Sequence, residues 1–418
     1  MSQANGKLAI VNIGLLATPT GNSARAGAQQ GEVQKIENAC VLLENGRITA
    51  VLERQQEHSI LADYRVVDAK GCLVTPGLVD AHTHLVFAGW RAHELQLKLV
   101  GVPYLEILAQ GGGILNTVTK TRNATEEALK AQARLALDGM LAMGTTTVEA
   151  KSGYGLDLET ELKQLRAARA LNEEHPIDLV FTLMAAHALP PEYKDNRRGF
   201  IDLVISEIIP AVSEQGLAEF CDVFCESGVF TAEEAREILL AGQRHGLHSK
   251  IHADEIDAIG GSELAGEIGT ASAEHLIAMR DSGIKALKKG GVTACLLPAT
   301  SFYLNKPYAR ARDLIAAGVP VAIASDFNPG SCPSFSLQFC INLASWQYKM
   351  TPEEILTAVT LNAANAIHRA DSIGSVEIGK QADLVLWQAN SLDDLCYRFG
   401  SNLAQAVIKK GELVKGGY

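Results

Sequence analysis

Eight short apolar runs of β type recur along the middle of the chain: Leu73–Val79, Thr145–Glu149, Asp178–Met184, Phe220–Cys225, His248–His252, Thr270–His275, Val292–Leu296 and Val319–Ser325. Helical segments separate them, including Thr125–Met143, Leu158–Asn172, Thr231–His245, Gly261–Ile268, Ile284–Lys288 and Ala309–Ala317. Two of these helices open on Thr followed by Glu residues, the capping residue and early acids that a helix N-terminus favours. Eight βα units over roughly 300 residues fit a closed (β/α)8 TIM barrel better than an open doubly wound sheet. No Gly-rich dinucleotide fingerprint follows a strand into a helix, and Gly111-Gly112-Gly113 reads as a flexible active-site loop.

Chain outside those runs is also β-type. Leu8–Leu16, Ala39–Leu43, Ile48–Leu52 and Arg65–Asp68 read as strands, with an Asn-Gly hairpin turn at Asn45-Gly46, and Thr20 to Lys35 reads as a polar loop. Ile373 to Trp387 and Ala406 to Val414 alternate in the same way. Neither group has enough strands to stand alone. The expected organisation is an α/β protein with a small β-sandwich domain made from 1–74 and 375–418, around a barrel at 75–374.

The apolar run at Leu73–Val79 leads into Asp80-Ala81-His82-Thr83-His84. Two histidines two residues apart on a strand project to one side and can converge on one ion. His252, His275 and Asp326 each end another run, and the carboxyl ends of barrel strands share one face. His82, His84, His252 and Asp326 are assigned to a metal. His275 is held back as a catalytic or supporting group, because a catalytic metal keeps one position open for water. Imidazoles with one carboxylate suit one Zn²⁺ or Fe ion per subunit; Ca²⁺ or Mg²⁺ would want more oxygen donors.

Composition removes several classes. A formal charge of -11 without a dense Lys/Arg stripe argues against a nucleic-acid partner, and 47% hydrophobic content argues against disorder. No stretch reaches 18 uninterrupted apolar residues, so no membrane partner is expected. Leu8 to Ala17 is read as a strand and not as a leader. The eight cysteines are dispersed and without a Cys-x-x-Cys pair, which favours buried thiols in a reducing, cytoplasmic setting.

Five segments narrow the reading: His82-Thr83-His84-Leu85-Val86-Phe87-Ala88-Gly89-Trp90-Arg91, Gly111-Gly112-Gly113-Ile114-Leu115, Glu149-Ala150-Lys151-Ser152-Gly153-Tyr154-Gly155-Leu156, His252-Ala253-Asp254-Glu255 and Ser325-Asp326-Phe327-Asn328-Pro329-Gly330-Ser331. Through them the chain resembles the amidohydrolase superfamily. Within it, the chain is similar to the members of histidine degradation that open the ring of 4-imidazolone-5-propanoate with water. That resemblance implies a small-molecule substrate and a homodimer. It also implies substrate contacts from Arg91, Tyr154, His187, Glu255, Asn328, Gly330 and Ser331, with Glu255, His275 and Asp326 catalytic. An arginine suits a propionate, which it can grip with two parallel hydrogen bonds. Alternatives stay open. Arg91 could form a surface ion pair with Glu94, and a metal-dependent deaminase of a purine or pyrimidine base could use the same histidines. A binuclear hydantoinase-type enzyme would want a lysine where Cys225-Glu226 stands. A non-catalytic scaffold would be expected to have lost ligands.

Overall fold

A computed structural model of the chain describes residues 6–53, 61–102 and 112–416. Gly111, the first residue of the expected glycine loop, lies outside them. Among the described residues two sheets carry the architecture. In the first, eight parallel strands follow one another in chain order: β6 (Leu78–Asp80), β7 (Thr145–Lys151), β8 (Asp178–Ala186), β9 (Phe220–Cys225), β10 (His248–Ala253), β11 (Ser272–His275), β12 (Thr293–Leu296) and β13 (Val321–Ile323). Just past β6 and β13 the chain closes on itself. Thr83 bridges Phe327, Asp326 N–H donates to the His82 carbonyl at 3.0 Å, and His84 N–H donates to the Phe327 carbonyl at 2.9 Å.

The second sheet gathers chain from far apart. Its ladder runs β16 (Glu412–Lys415), β15 (Ala404–Lys409), β14 (Leu384–Trp387), β5 (Leu73–Pro76), β1 (Lys7–Thr18), β2 (Gln34–Glu44) and β3 (Arg47–Leu52), with β4 (Arg65–Asp68) also on β1. Its apolar layer includes Ile10, Leu16, Val41, Leu43, Val74, Leu384, Leu386 and Ile408. The larger apolar core lies among the barrel strands and the helices around them.

Two local expectations are corrected. Leu73–Val79 is not one strand but two, β5 in the second sheet and β6 in the barrel, because the run is broken at Pro76-Gly77. Gly77 N–H bonds to the Asp383 carbonyl whereas Leu78 N–H bonds to Gly144 in the barrel, and a Cβ at Gly77 would lie 2.3 Å from Thr146 Oγ1. The alternating stretch from Ile373 is strand only from Leu384. Gly374 and Gly379 have φ of 86° and 92°, which turns that segment before it can extend.

Helix capping agrees with the sequence. Thr125 caps Glu126–Ala142 by accepting from Ala128 N–H, and Thr231 with Glu234 forms a complete capping box on Ala232–Arg244. Arg197–Leu203 is one of the helices between barrel strands, and helices Leu337–Trp346, Pro352–Ala358 and Leu361–Ala366 follow the last of them, in a segment where no helix was named. All eight cysteines are buried and free of disulfides. No helix among the described residues is long and apolar enough to cross a membrane.

Candidate metal centre and active site

Barrel closure assembles the site. Asp80, at the end of β6, accepts from Ser325 N–H at 2.9 Å and from the Ser325 hydroxyl at 2.5 Å, so the first and last barrel strands are locked in register. One step beyond that lock stand His82, His84 and Asp326. Asp326 itself has a φ of 56° and His275 one of 68°, conformations that cost a non-glycine residue free energy and that turn these side chains inward at the strand ends.

Four donor atoms meet. The Nε2 atoms of His84 and His252 are 3.4 Å apart; Asp326 Oδ1 lies 3.4 Å from His82 Nε2 and 3.6 Å from His84 Nε2. Donor atoms about 2.1 Å from a zinc or iron ion in a tetrahedral set lie roughly 3.4 Å from one another. His82 Nε2 and Asp326 Oδ1 are buried without a hydrogen-bond partner, and facing lone pairs in a buried site repel unless a cation lies between them. Burial, first of all, holds His82 and His84 well below the usual imidazole range, which leaves them as neutral donors. The residues therefore fit a metal ion.

Beneath the four donors lies a layer of buried ionisable groups. The side chains of Glu149, Lys151, Asp222, Lys250 and Glu274 are all 0% exposed. Lys151 Nζ is 2.7 Å from both Glu149 and Asp222, and Lys250 Nζ is 3.4 Å from Glu149 and 3.6 Å from Glu274. Asp222 Oδ1 reaches His252 Nδ1 at 3.1 Å, and Glu274 Oε2 reaches His82 Nδ1 at 3.1 Å. Burial disfavours the charge on Lys151, but Asp222 and Glu149 more than offset it and hold the ammonium well above its ordinary range. Sequence reasoning missed this layer. Its signal was the period of two: Lys250 precedes His252 by two residues, and Glu149 and Lys151 alternate on one face of β7.

Around the donors stand the other expected residues. His275 Nε2 is 3.6 Å from Glu255 Oε2. Burial lowers His275 to about 3 and pushes the Glu255 carboxyl up to about 7. His187 stacks on His84, ring centres 4.8 Å apart, with its Nδ1 3.0 Å from the Gly153 carbonyl. Tyr154 packs against both rings at 5.3 and 5.9 Å. The loop that carries Tyr154 hangs from Glu161, whose buried carboxylate accepts from the N–H groups of Gly153, Gly155 and Leu156.

Arg91 is beside Glu94, Nε to Oε1 3.8 Å, yet the pair is not a surface one: the side chains are 10% and 1% exposed. The guanidinium lies over Gly330, where a Cβ would sit 0.9 Å from Nη2, and its charge is felt at His187. Asn328 spends its amide on its own loop. The side-chain oxygen accepts from the N–H groups of Gly330 and Ser331, and the NH₂ donates to the Asp326 carbonyl and to Ser331 Oγ.

Comparison with known proteins agrees with this geometry. The chain belongs to the amidohydrolase family, whose sequence pattern it matches over residues 73–414. Within that family it is similar to the imidazolonepropionase of Alkaliphilus metalliredigens (strain QYMF), 51% identical over 409 residues that span 97% of each chain. The imidazolonepropionase of Fusobacterium nucleatum is 48% identical over 97% of this chain and 98% of its own. Among solved structures, 5-methylcytosine deaminase from Klebsiella pneumoniae with phosphonocytosine superposes at a TM-score of 0.75 over 98% of each chain; at 19% identity it shows the shared fold.

Proposed function

We propose that this chain is an imidazolonepropionase, a hydrolase that opens the ring of 4-imidazolone-5-propanoate at a C–N bond to give N-formimidoyl-L-glutamate. The observation that carries the reading is identity of about half over nearly the whole chain to imidazolonepropionases, in a molecule that gathers His82, His84 and His252 about one point. His82, His84, His252 and Asp326 would hold one zinc or iron ion per subunit. When bound, such an ion polarises a carbonyl and lowers the pKa of water from about 15.7 toward 7.

The chain's own groups do the rest. Arg91 binds the propionate, with Tyr154 as a hydroxyl donor at the same end of the pocket. His187, fixed through Gly153, orients the ring. Asp326, steadied by the Thr300 hydroxyl at 2.5 Å, takes a proton from the attacking water. His275 stabilises the oxyanion as the carbonyl becomes tetrahedral, and Glu255 holds a ring nitrogen and protonates it as the C–N bond breaks. Asn328, Gly330 and Ser331 shape the wall under Arg91.

The test pairs metal analysis with incubation on freshly generated imidazolone propionate against a panel of purines and pyrimidines. Loss of ring absorbance with the imidazolone and none with the bases is expected; turnover of a base alone would transfer the site to a deaminase. The same reading carries a homodimer in the cytoplasm, which sedimentation and cell fractionation check.

A further inference from the structure

Five ionisable side chains without exposed surface, in the layer below the donor atoms, need an explanation. Removing a charge from water costs several kcal/mol per ion, and apolar side chains of similar volume would fill a barrel interior as well. None of the five is used in the chemistry above. Besides the Thr182 hydroxyl on Glu149 and the Ser272 hydroxyl on Glu274, their remaining hydrogen bonds lead to the donor segments. Lys250 Nζ donates to the Ala81 carbonyl at 2.9 Å. Glu149 accepts from Thr83 N–H at 3.3 Å through Oε2, and its carbonyl accepts from the Thr83 hydroxyl at 2.6 Å. Glu274 meets His82, and Asp222 meets both the ring and the backbone N–H of His252. The segment Ala81-His82-Thr83 is thus gripped at three consecutive residues, and His252 at two atoms.

From this pattern we infer that Lys151 and Lys250, acting through Glu149, Asp222 and Glu274, are positioning residues of the metal centre. They hold Glu274 and Asp222 where these accept the Nδ1 protons of His82 and His252, which fixes both rings in the tautomer and rotation that present Nε2 to the ion, and they hold Glu149 where it accepts from Thr83 N–H between the two donor histidines of that segment. The ring also ties β7, β9, β10 and β11 to the end of β6, so both distant halves of the donor set share one support. A carboxylate behind a metal-bound histidine contributes 10 to 100-fold in metal affinity in other proteins. This inference rests on the metal reading above and concerns which residues tune it.

The experiment measures the Zn²⁺ dissociation constant of the full chain by competition with a chromogenic chelator, the visible spectrum of the Co²⁺ form, and the Tm of the metal-free form. The variants are Lys250→Met, Glu274→Gln and Asp222→Asn. The control is Lys409→Met, which removes a buried ammonium paired with Asp383 and with the part-exposed Asp178, away from the donors. Weaker Zn²⁺ binding, by about 10 to 100-fold, is expected for the three ring variants, with altered Co²⁺ bands; the control lowers the metal-free Tm and leaves both readouts unchanged. The double variant Lys250→Met with Glu274→Gln should lose less than the product of the single losses. Should Lys250→Met fail to fold, Glu274→Gln and Asp222→Asn decide. Binding within twofold of wild type in the ring variants, or an equal loss in the control, overturns the inference. A wild-type chain that binds neither Zn²⁺ nor Co²⁺ overturns instead the metal reading, and this inference with it.

Discussion

At the scale of single residues, Arg91 and Gly330 act as one unit. A Cβ on Gly330 would occupy the space of the guanidinium, so Gly330→Ala should mimic Arg91→Met. A charge-assisted pair with the propionate contributes about 2 to 3 kcal/mol, so kcat/KM should fall roughly 30 to 150-fold in both variants. An imidazolone without the propionate should be little affected, and steady-state kinetics on the two substrates separates the outcomes; equal losses would count against the carboxylate clamp. Glu255→Gln should lower kcat by about 100 to 10,000-fold, the range of a lost general acid, with metal content unchanged by elemental analysis. That His82, His84, His252 and Asp326 lie together was readable from the sequence, because each follows an apolar run and the carboxyl ends of barrel strands share one face. The layer of Glu149, Lys151, Asp222, Lys250 and Glu274 was not, because a charged residue in a strand reads as solvent-facing until its partners are known. Those partners come from four different strands, which no local pattern reveals.

Elements carry the site through their loops. The loop at Ser152–Leu156 hangs from Glu161 on the following helix, and the same loop fixes His187 through the Gly153 carbonyl. Glu161→Ala leaves three backbone donors unsatisfied, at about 1 to 3 kcal/mol for each that cannot rearrange toward water. The expected result is a clear drop in denaturant midpoint together with a raised KM; a variant that unfolds more easily yet keeps its KM would show that Tyr154 and His187 do not need this support. Element boundaries were legible where the cause is local. Thr231 and Thr125 announce their helices by capping chemistry, and Phe220–Cys225 stands where its apolar run places it. The break between β5 and β6 had a local mark in Pro76-Gly77, but the apolar, extended halves on either side of it read as one strand. What separates them is the identity of their neighbours, Asp383 on one side and Gly144 on the other, and pairing of that kind is a tertiary property.

For the molecule as a whole, acidity acts through buried imidazoles. His175 closes the helix Leu158–Glu174, its Nδ1 accepts from Ile177 N–H at 3.1 Å, and Nε2 faces Asp138. Burial lowers its pKa in the fold although Asp138 opposes the shift. A group whose pKa is lower folded than unfolded contributes stability that is complete above its unfolded value, about 6.5 for histidine, and is lost as the pH falls. Stability should therefore decline from pH 7 toward 5, and His175→Asn, which keeps an acceptor for Ile177 but takes no proton, should flatten that decline in urea titrations. Metal-free protein gives the cleanest comparison, since acid also strips donor histidines. The pairing of β5 with β14, Thr75 against Val385, bears on how the molecule is made. The strand just before the one that leads to His82 and His84 gains its second neighbour only after some three hundred further residues have been added. During synthesis β5 can pair with β1 at once, but its other edge stays open until β14 is made, and a ribosome stalled before Leu384 would hold a nascent polypeptide whose second sheet ends at β5.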